Sequence, residues 1–267
     1  MVKEQGLDII KLKLIAFTGT VLLNIAWCGI IPSSNNMLWL RIVLSFLGAS
    51  ALPILALITS ESIKHTRSLF KYMLRLLALS VICGFPYFFL YHNPTASNTM
   101  FKEYLSGPFT VFFVTGILFA YDKLPYKWLK NTSIVLFIAL SVFFGLEYAP
   151  VSIIIAYFIH LYSSEDKRKF RNFNIVLFCI ALGAIGGFLF YYTKGKSNVL
   201  NIDLLQLVSL SGCVLAVPLL NLYNGKENKF TGKASRFLVK YAFYFGYLAL
   251  IAGLALLKNF VIFKNAG

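Results

Sequence analysis

The sequence predicts an all-α fold, a polytopic transmembrane helical bundle of about nine spans with the N-terminus in the cytoplasm and the C-terminus outside. Two observations lead to this prediction: the composition, and the distribution of basic residues between apolar runs. Hydrophobic residues make up 58% of the 267 residues and charged residues only 13%, whereas soluble domains usually carry ~25% charged residues. A chain that is both apolar and poor in charge is typical of a protein in lipid, and it is unlike a disordered chain.

The predicted spans are apolar runs close to the length that a helix needs to cross the hydrocarbon core, about 20 residues. Helices are expected because lipid offers no hydrogen-bond partners to an open backbone. The runs are 14–31, 39–59, 72–91, 104–121, 132–146, 148–163, 173–192, 203–223 and 237–257. The fifth and sixth runs are short and adjacent, so either they form a tight hairpin or one of them is re-entrant. The seventh run contains small residues that suit close helix contact, Gly183, Gly186 and Gly187.

The loops between these runs alternate between basic and nearly free of basic residues, as the positive-inside rule predicts for cytoplasmic and external loops. Lys and Arg residues cluster before the first run and after the second, fourth, sixth and eighth runs. They are Lys3, Lys11, Lys13, Lys64, Arg67, Lys71, Lys123, Lys127, Lys130, Lys167, Arg168, Lys169, Arg171, Lys226, Lys229, Lys233 and Arg236. The other loops carry only Lys102, after the third run, and Lys194 and Lys196, after the seventh. The alternation supports span number and orientation together, because one missed span would reverse the pattern downstream.

Several classes of function find no support in the sequence. The formal net charge is +15, but the basic residues are dispersed among short loops, so nucleic-acid binding is not predicted. The four cysteines lie singly inside apolar runs, without the spacing of a metal site or a disulfide framework. No phosphate-binding loop, nucleophile elbow or dinucleotide fingerprint is present. No internal repeat or linker is visible either, and residues 1–267 are predicted to form a single transmembrane domain.

Polar side chains inside apolar runs are costly in lipid and therefore mark candidate functional positions. Asn24 lies near the middle of the first run, where an interhelical hydrogen bond is the simplest role. Arg41 lies near the outer end of the second run, where it needs a partner, a ligand or room to snorkel. Arg75, one turn into the third run, is expected to snorkel toward the cytoplasmic face. His65 and His160, near the same face, are expected to be interfacial polar residues rather than catalysts.

Several stretches resemble, in order along the chain, the TraX family of bacterial membrane proteins. The strongest runs from Pro53 through Glu61 into KHTRSLFKYMLRLL at 64–77. The others are LKLIA at 12–16, LRI at 40–42, Asn98 with Met100 and Phe101, Gln206, LYNGK at 222–226 and KYAFYFGY at 240–247. The family is associated with N-terminal acetylation of conjugative pilin, and relatives are encoded with fimbrial subunits as assembly proteins of the FimC type. The resemblance implies a multi-pass protein of the bacterial inner membrane that acts in fimbrium biogenesis, with a pilin subunit and membrane lipid as partners.

Three departures from the family pattern affect the chemistry that the resemblance implies. The family's Asp-His pair in the first span falls at Leu23 and Asn24, and its Gly-Arg pair falls at Gly48 and Ala49. The histidine of its last-span motif falls at Leu250. Histidine is the usual base for acyl transfer near neutral pH, and neither Asn24 nor Leu250 can accept a proton. The scaffold of a transferase is therefore retained without the expected catalytic histidines.

The candidate intramembrane site consists of the polar residues that remain, Asn24, Arg41, Glu61 and Arg75, with no catalytic residue assigned and no metal expected. Three functions stay open. The first is a TraX-like protein of pilus assembly that acts on or near pilin. The second is an active membrane acyltransferase on another acceptor, and acetyl-CoA is expected only where such activity is retained. The third is a small-solute transporter, which the scarcity of mid-span ionisable residues and of paired broken helices disfavours.

Overall fold

A computed structural model describes residues 7–31, 35–66, 68–91, 107–144, 151–162, 167–193, 209–223 and 233–266. Outside the helices these residues form turns, bends and an isolated parallel bridge between Leu7 and Tyr223. The prediction of an all-α fold is thus confirmed for the described part of the chain. The helical elements are α1 (Ile9–Trp27), α2 (Asn35–Gly48), α3 (Ala51–His65), α4 (Leu69–Tyr91), α5 (Gly107–Lys123), α6 (Lys127–Phe144), α7 (Val151–Tyr162), α8 (Lys167–Thr193), a 3₁₀ turn (Gly212–Leu215), α9 (Ala216–Asn221) and α10 (Lys233–Ala266).

Four helical stretches are long and apolar enough, by length and composition, to span a membrane. They are α1, the stretch Met37–His65 across α2 and α3, α4, and Tyr241–Phe260 within α10. Shorter apolar helices cover Val151–Leu161, Phe173–Gly187 and Ser209–Asn221. These helices support the prediction of a membrane protein. The predicted count of nine spans and the predicted orientation are not confirmed.

The chain divides into two compact units. The first contains Met1–Ile54, Asn174–Leu250 and Leu256–Gly267, and in it α1 packs along α2 while α2 contacts the 3₁₀ turn that leads into α9. The second contains Leu55–Phe173 and Ile251–Ala255, and in it α5 packs against α4, α6 and α7. The single domain over residues 1–267 stays a prediction. The connection between the fifth and sixth predicted runs, 145–150, and the family-like residues at 98–101 and 206 lie outside the described residues.

Helix α1 illustrates how local sequence sets the helix boundaries. Asp8 precedes the helix in an extended conformation, and its carboxylate accepts hydrogen bonds from the amides of Ile10 (3.1 Å) and Lys11 (2.8 Å). Amides of a first turn have no partner within the helix, so a cap of this kind stabilises it by about 1 kcal/mol. Beyond the other end, Gly29 has a φ of 81°, a left-handed conformation that ends a helix at little cost in glycine.

Helix α4 distributes its side chains as a helix in lipid does. Its buried face includes Ser80, Cys83 and Gly84, whereas Phe70 and Phe85 are exposed. A large exposed apolar surface is a liability in water. In a bilayer it is matched by lipid tails, and small or polar residues are then the ones placed between helices.

Pro53 interrupts the second predicted run, and the chain breaks there into α2 and α3. It lies in the first turn of α3, where an amide hydrogen would have no helical partner and its absence costs little. Its ring nonetheless leaves the carbonyl of Ala49, four residues earlier, without the usual donor. That carbonyl accepts instead from the Leu52 amide (3.1 Å) and the Cys213 thiol (3.7 Å). The freed backbone group is thus satisfied by the protein itself, as lipid requires.

Backbone-to-backbone contact holds α1 close to α2. A Cβ atom on Gly48 would lie 2.8 Å from both the Gly19 carbonyl oxygen and the Leu23 amide nitrogen, so only glycine fits without a shift. The expected contacts at Gly183 and Gly186 are not seen among the described residues, because a Cβ atom there would have no neighbour within 4 Å. Small residues therefore mark a close helix crossing at one place and an open face at the other.

We expect Gly48→Ala to lower the stability of the detergent-solubilised protein, because the added methyl group forces α1 and α2 apart. Overpacking of this kind costs about 1–3 kcal/mol. Gly183→Ala is the matched control: it adds the same methyl group to open space, and alanine's better helix propensity should leave stability unchanged or slightly higher. Thermal unfolding of both variants measures the difference. A Gly48→Ala protein that melts with the wild type would contradict the close contact.

Candidate functional site

The four residues predicted as the intramembrane site do not all belong to one unit. Asn24 and Arg41 lie in the first unit, and Glu61 and Arg75 lie in the second. Each pair is therefore described within its own unit.

Arg41 caps the C-terminal end of α1. Arg41 is only 7% exposed, and its Nε atom donates to the carbonyl oxygen of Ala26 at 2.9 Å. The last carbonyls of a helix have no amide partner and lie at the negative end of the helix dipole, so a guanidinium is well matched there. A second bond joins the same two helices, from Trp27 Nε1 to the Ser45 hydroxyl at 3.0 Å. The partner that Arg41 needed is thus a helix terminus.

Asn24 is buried, and its side-chain amide donates to the carbonyl oxygen of Thr20 at 2.8 Å, one turn earlier in α1. This bond serves the backbone of α1. The interhelical hydrogen bond expected of Asn24 stays a prediction. A carboxamide does not accept a proton near neutral pH, so Asn24 itself cannot act as a general base.

Glu61 belongs to a local charged cluster in the last turns of α3. Its carboxylate accepts from Lys64 Nζ at 3.1 Å and lies 3.5 Å from His65 Nε2. Arg75 is exposed in the second turn of α4, and within the described part of the chain it makes no hydrogen bond or ion pair. The grouping of these four residues into one site stays a prediction.

A different constellation lies in the second unit, where α3, α5 and α7 meet. Ser60 Oγ is 3.0 Å from His160 Nδ1, and His160 Nε2 is 2.9 Å from Asp122 Oδ1. Sequence reasoning had assigned His160 to the interface and had not singled out Ser60 or Asp122. The three residues are 100 and 38 positions apart, so no local motif joins them. The available signal was that each lies near the end of a run that leads into a basic loop.

The contact with Asp122 determines which tautomer a neutral imidazole ring adopts at His160. An ionised carboxylate only accepts, so the ring nitrogen that faces Asp122 must carry the proton. In a neutral ring Nδ1 then has a free lone pair, and the Ser60 hydroxyl donates to it. A hydroxyl, an imidazole and a carboxylate in this order form a charge relay, with the two ring nitrogens exchanged relative to the usual serine triad.

Access to solvent increases along the relay. Ser60 is fully buried at 0%, the His160 side chain is 9% exposed, and the Asp122 side chain is 44% exposed. The carboxylate therefore meets water while the hydroxyl lies inside the helix bundle. With this gradient of exposure, the hydrated carboxylate of Asp122 can stabilise a positive charge that forms on the imidazole of His160.

Aromatic contacts support the helix ends that carry the relay. The ring of Tyr121, next to Asp122, lies 5.3 Å from the ring of Tyr157, one turn before His160. The ammonium group of Lys130 lies 4.9 Å from the centre of the Tyr121 ring, within cation–π range. These contacts join α5, α6 and α7 and limit the movement of Asp122 relative to His160. Within the described ranges no group of three His, Cys, Asp or Glu side chains could hold a metal ion.

The long apolar helices and the many exposed apolar side chains of the described residues are those of a helical membrane protein. A family model described as TraX protein matches residues 11–255, and the chain belongs to the TraX family. The resemblance inferred from the short ordered stretches is thereby confirmed over most of the chain. No curated protein and no solved structure matches the chain.

Replacing Arg41 by methionine should destabilise the protein, because the carbonyl end of α1 loses a charged donor. Hydrogen bonds to charged groups contribute about 1.5–3 kcal/mol, and we expect a loss of that size in the free energy of unfolding. Arg75→Met is the matched control, since surface substitutions without a partner usually change stability by less than ~0.5 kcal/mol. Unfolding by denaturing detergent in mixed micelles compares the two. Equal stability of both variants would exclude the capping role of Arg41.

Proposed function

We propose that the chain is a multi-pass protein of the bacterial inner membrane that acts in pilus or fimbrium biogenesis, on or near the pilin subunit. The observation that carries this proposal is the match of residues 11–255 to the TraX family. The partners would be pilin and membrane lipid, and no nucleic acid. The outward-facing apolar side chains of α4, such as Phe70 and Phe85, suit contact with lipid or with an apolar pilin helix.

The proposed topology has nine spans, with the N-terminus in the cytoplasm and the C-terminus outside. The hydrogen bonds of the relay support it, because they join the C-terminal parts of α3, α5 and α7. These helices correspond to the second, fourth and sixth predicted runs, which the loop charges direct toward one side. Three helices whose C-terminal ends meet must run in the same direction, as the alternation of loops requires.

Reporter fusions test this topology. Fluorescent-protein fusions after Thr66, Pro125 and Ser164 should be bright, because each would end in the cytoplasm, where that reporter folds. Alkaline-phosphatase fusions after Ser34 and Asn98 should be active, because each would end outside. The complementary reporter at every site is the control. A bright fluorescent fusion at Asn98, or a dark one at Pro125, would contradict the nine-span arrangement.

A second candidate activity is transfer of an acetyl group from acetyl-CoA to an amine, with the pilin N-terminus as the acceptor that the family suggests. The observation that favours it is His160, a potential proton acceptor held between a hydroxyl and a carboxylate. Exposed basic side chains, among them Lys64, Lys123 and Lys127, lie on the same helix ends and would favour approach of a polyanionic donor. His160 would supply, at another place in the chain, the base that Asn24 cannot supply.

Deletion of the gene tests both levels of the proposal. The deletion strain should assemble fewer surface pili, and intact-mass analysis of its pilin should lack the mass of one N-terminal acetyl group. Complementation with the wild-type gene should restore both. Lost assembly with an unchanged pilin mass would separate biogenesis from acetylation. Normal pili with normal mass would contradict the proposed function altogether.

A further inference from the structure

We propose that Ser60, His160 and Asp122 form the proton relay of an acyl-transfer site at the basic end of the second unit, with His160 as the proton acceptor. The inference rests on the acetyl transfer proposed above. It assigns that chemistry to three helix ends instead of to the middle of the first span, where Asn24 stands.

The buried hydroxyls of this chain give a standard against which Ser60 differs. Thr59 donates to the carbonyl oxygen of Leu55 at 2.8 Å, and Ser80 donates to that of Leu76 at 2.6 Å. Such bonds back to the preceding turn are the usual way for a helix in lipid to satisfy a hydroxyl. Ser60 also reaches the imidazole of His160 on another helix. This cross-helix bond sets Ser60 apart, because it joins a buried hydroxyl to a side chain that can accept a proton.

The chemistry of the relay follows from the ring state already described. An amine that attacks the carbonyl carbon of an acyl thioester forms a C–N bond and must lose a proton as the C–S bond breaks. The Ser60 oxygen, which is buried at rest and must become accessible to the amine, accepts that proton while its own proton passes to His160 Nδ1. Asp122 stabilises the resulting imidazolium through Nε2. The proton then returns to the departing thiolate, so that an amide and a thiol leave and the relay is restored.

Charge at the same end of the unit suits an acyl donor that carries phosphate groups. Lys64 ends α3, Lys123 ends α5, and Lys127 and Lys130 begin α6. These three helix ends are joined by the relay, through His160, and by the Lys130–Tyr121 contact. A cluster of this sign raises the local concentration of a polyanion, although each exposed lysine contributes little by itself. A phosphorylated acyl thioester is thus the class of donor that this end would take.

Kinetics of the purified full chain in nanodiscs test the relay, with labelled acetyl-CoA and a peptide that carries the pilin N-terminus. His160→Gln should lower kcat by about 10²–10⁴-fold with little change in KM, because the proton acceptor is lost while the binding groups remain. Asp122→Asn and Ser60→Ala should also act mainly on kcat. Thr59→Val is the matched control: it removes the adjacent buried hydroxyl, and activity should be retained. A His160→Gln protein that keeps its kcat, or a wild type that transfers no label, would overturn the inference.

A spectroscopic measurement tests the same geometry without activity. The chain has three histidines, so nitrogen NMR of histidine-labelled protein can be assigned to His160 by comparison with His160→Gln. We expect the proton of the neutral ring on Nε2 in the wild type and a shift toward the other tautomer in Asp122→Asn. Glu61→Gln, one residue from Ser60, should leave the signal unchanged. A proton on Nδ1 of the neutral His160 ring in the wild type would exclude the proposed relay.

Complementation separates this inference from the proposed function. In the deletion strain, His160→Gln should restore surface pili while the pilin stays unacetylated. Full restoration of acetylated pilin by His160→Gln would overturn the relay and leave the proposed function intact. A deletion strain without any pilin phenotype would instead count against the proposed function, whatever the relay does in vitro.

Discussion

Hydrocarbon offers no hydrogen-bond partner, and many of the polar groups that the described part of this chain buries are therefore matched inside the protein. The end of α1 is completed by the guanidinium of Arg41, and the carbonyl that Pro53 frees is met by an amide and by the Cys213 thiol. Threonine and serine hydroxyls such as Thr59 and Ser80 bond back to their own helices. Most polar side chains described in this chain thus serve the backbone, which explains how so apolar a sequence tolerates them.

The network around His160 differs because its hydrogen bonds join side chains on three helices. Side-chain networks at low dielectric are costly when incomplete, and they fix one arrangement of the groups that form them. Here the network lies where helices end and water begins, so Asp122 keeps partial hydration while Ser60 does not. This border suits proton transfer better than the centre of a bilayer does. An asparagine at position 24, where the resemblance implied a histidine, is then compatible with the acyl transfer proposed for the relay.

The sequence was a good guide wherever the physics is local or compositional. Composition predicted a helical membrane protein, and short ordered stretches predicted the family. The sequence was a poor guide wherever a contact depends on how closely distant segments approach each other in space. Gly48 and Gly183 look alike in sequence, yet only Gly48 has another backbone against it. The helix end that Arg41 caps has no sequence signal, so this partner could not be predicted. The Ser60–His160–Asp122 relay was missed because its members are far apart in the sequence. The nine-span count rests on loop charges and is not confirmed, because the described part has four helices of sufficient length and apolarity.

The separation of Ser60 from His160 has a consequence for how the chain is made. The two residues are 100 positions apart, and at a synthesis rate of about 5–20 residues per second the ribosome needs roughly 5–20 s to pass from one to the other. During that interval α3 can enter the membrane while the imidazole that Ser60 will meet has not yet been translated. The serine must therefore tolerate insertion before its partner exists, which costs a neutral hydroxyl less than it would cost a charged group. The relay thus has its neutral hydroxyl on the helix that is made first and its histidine on the helix that is made last.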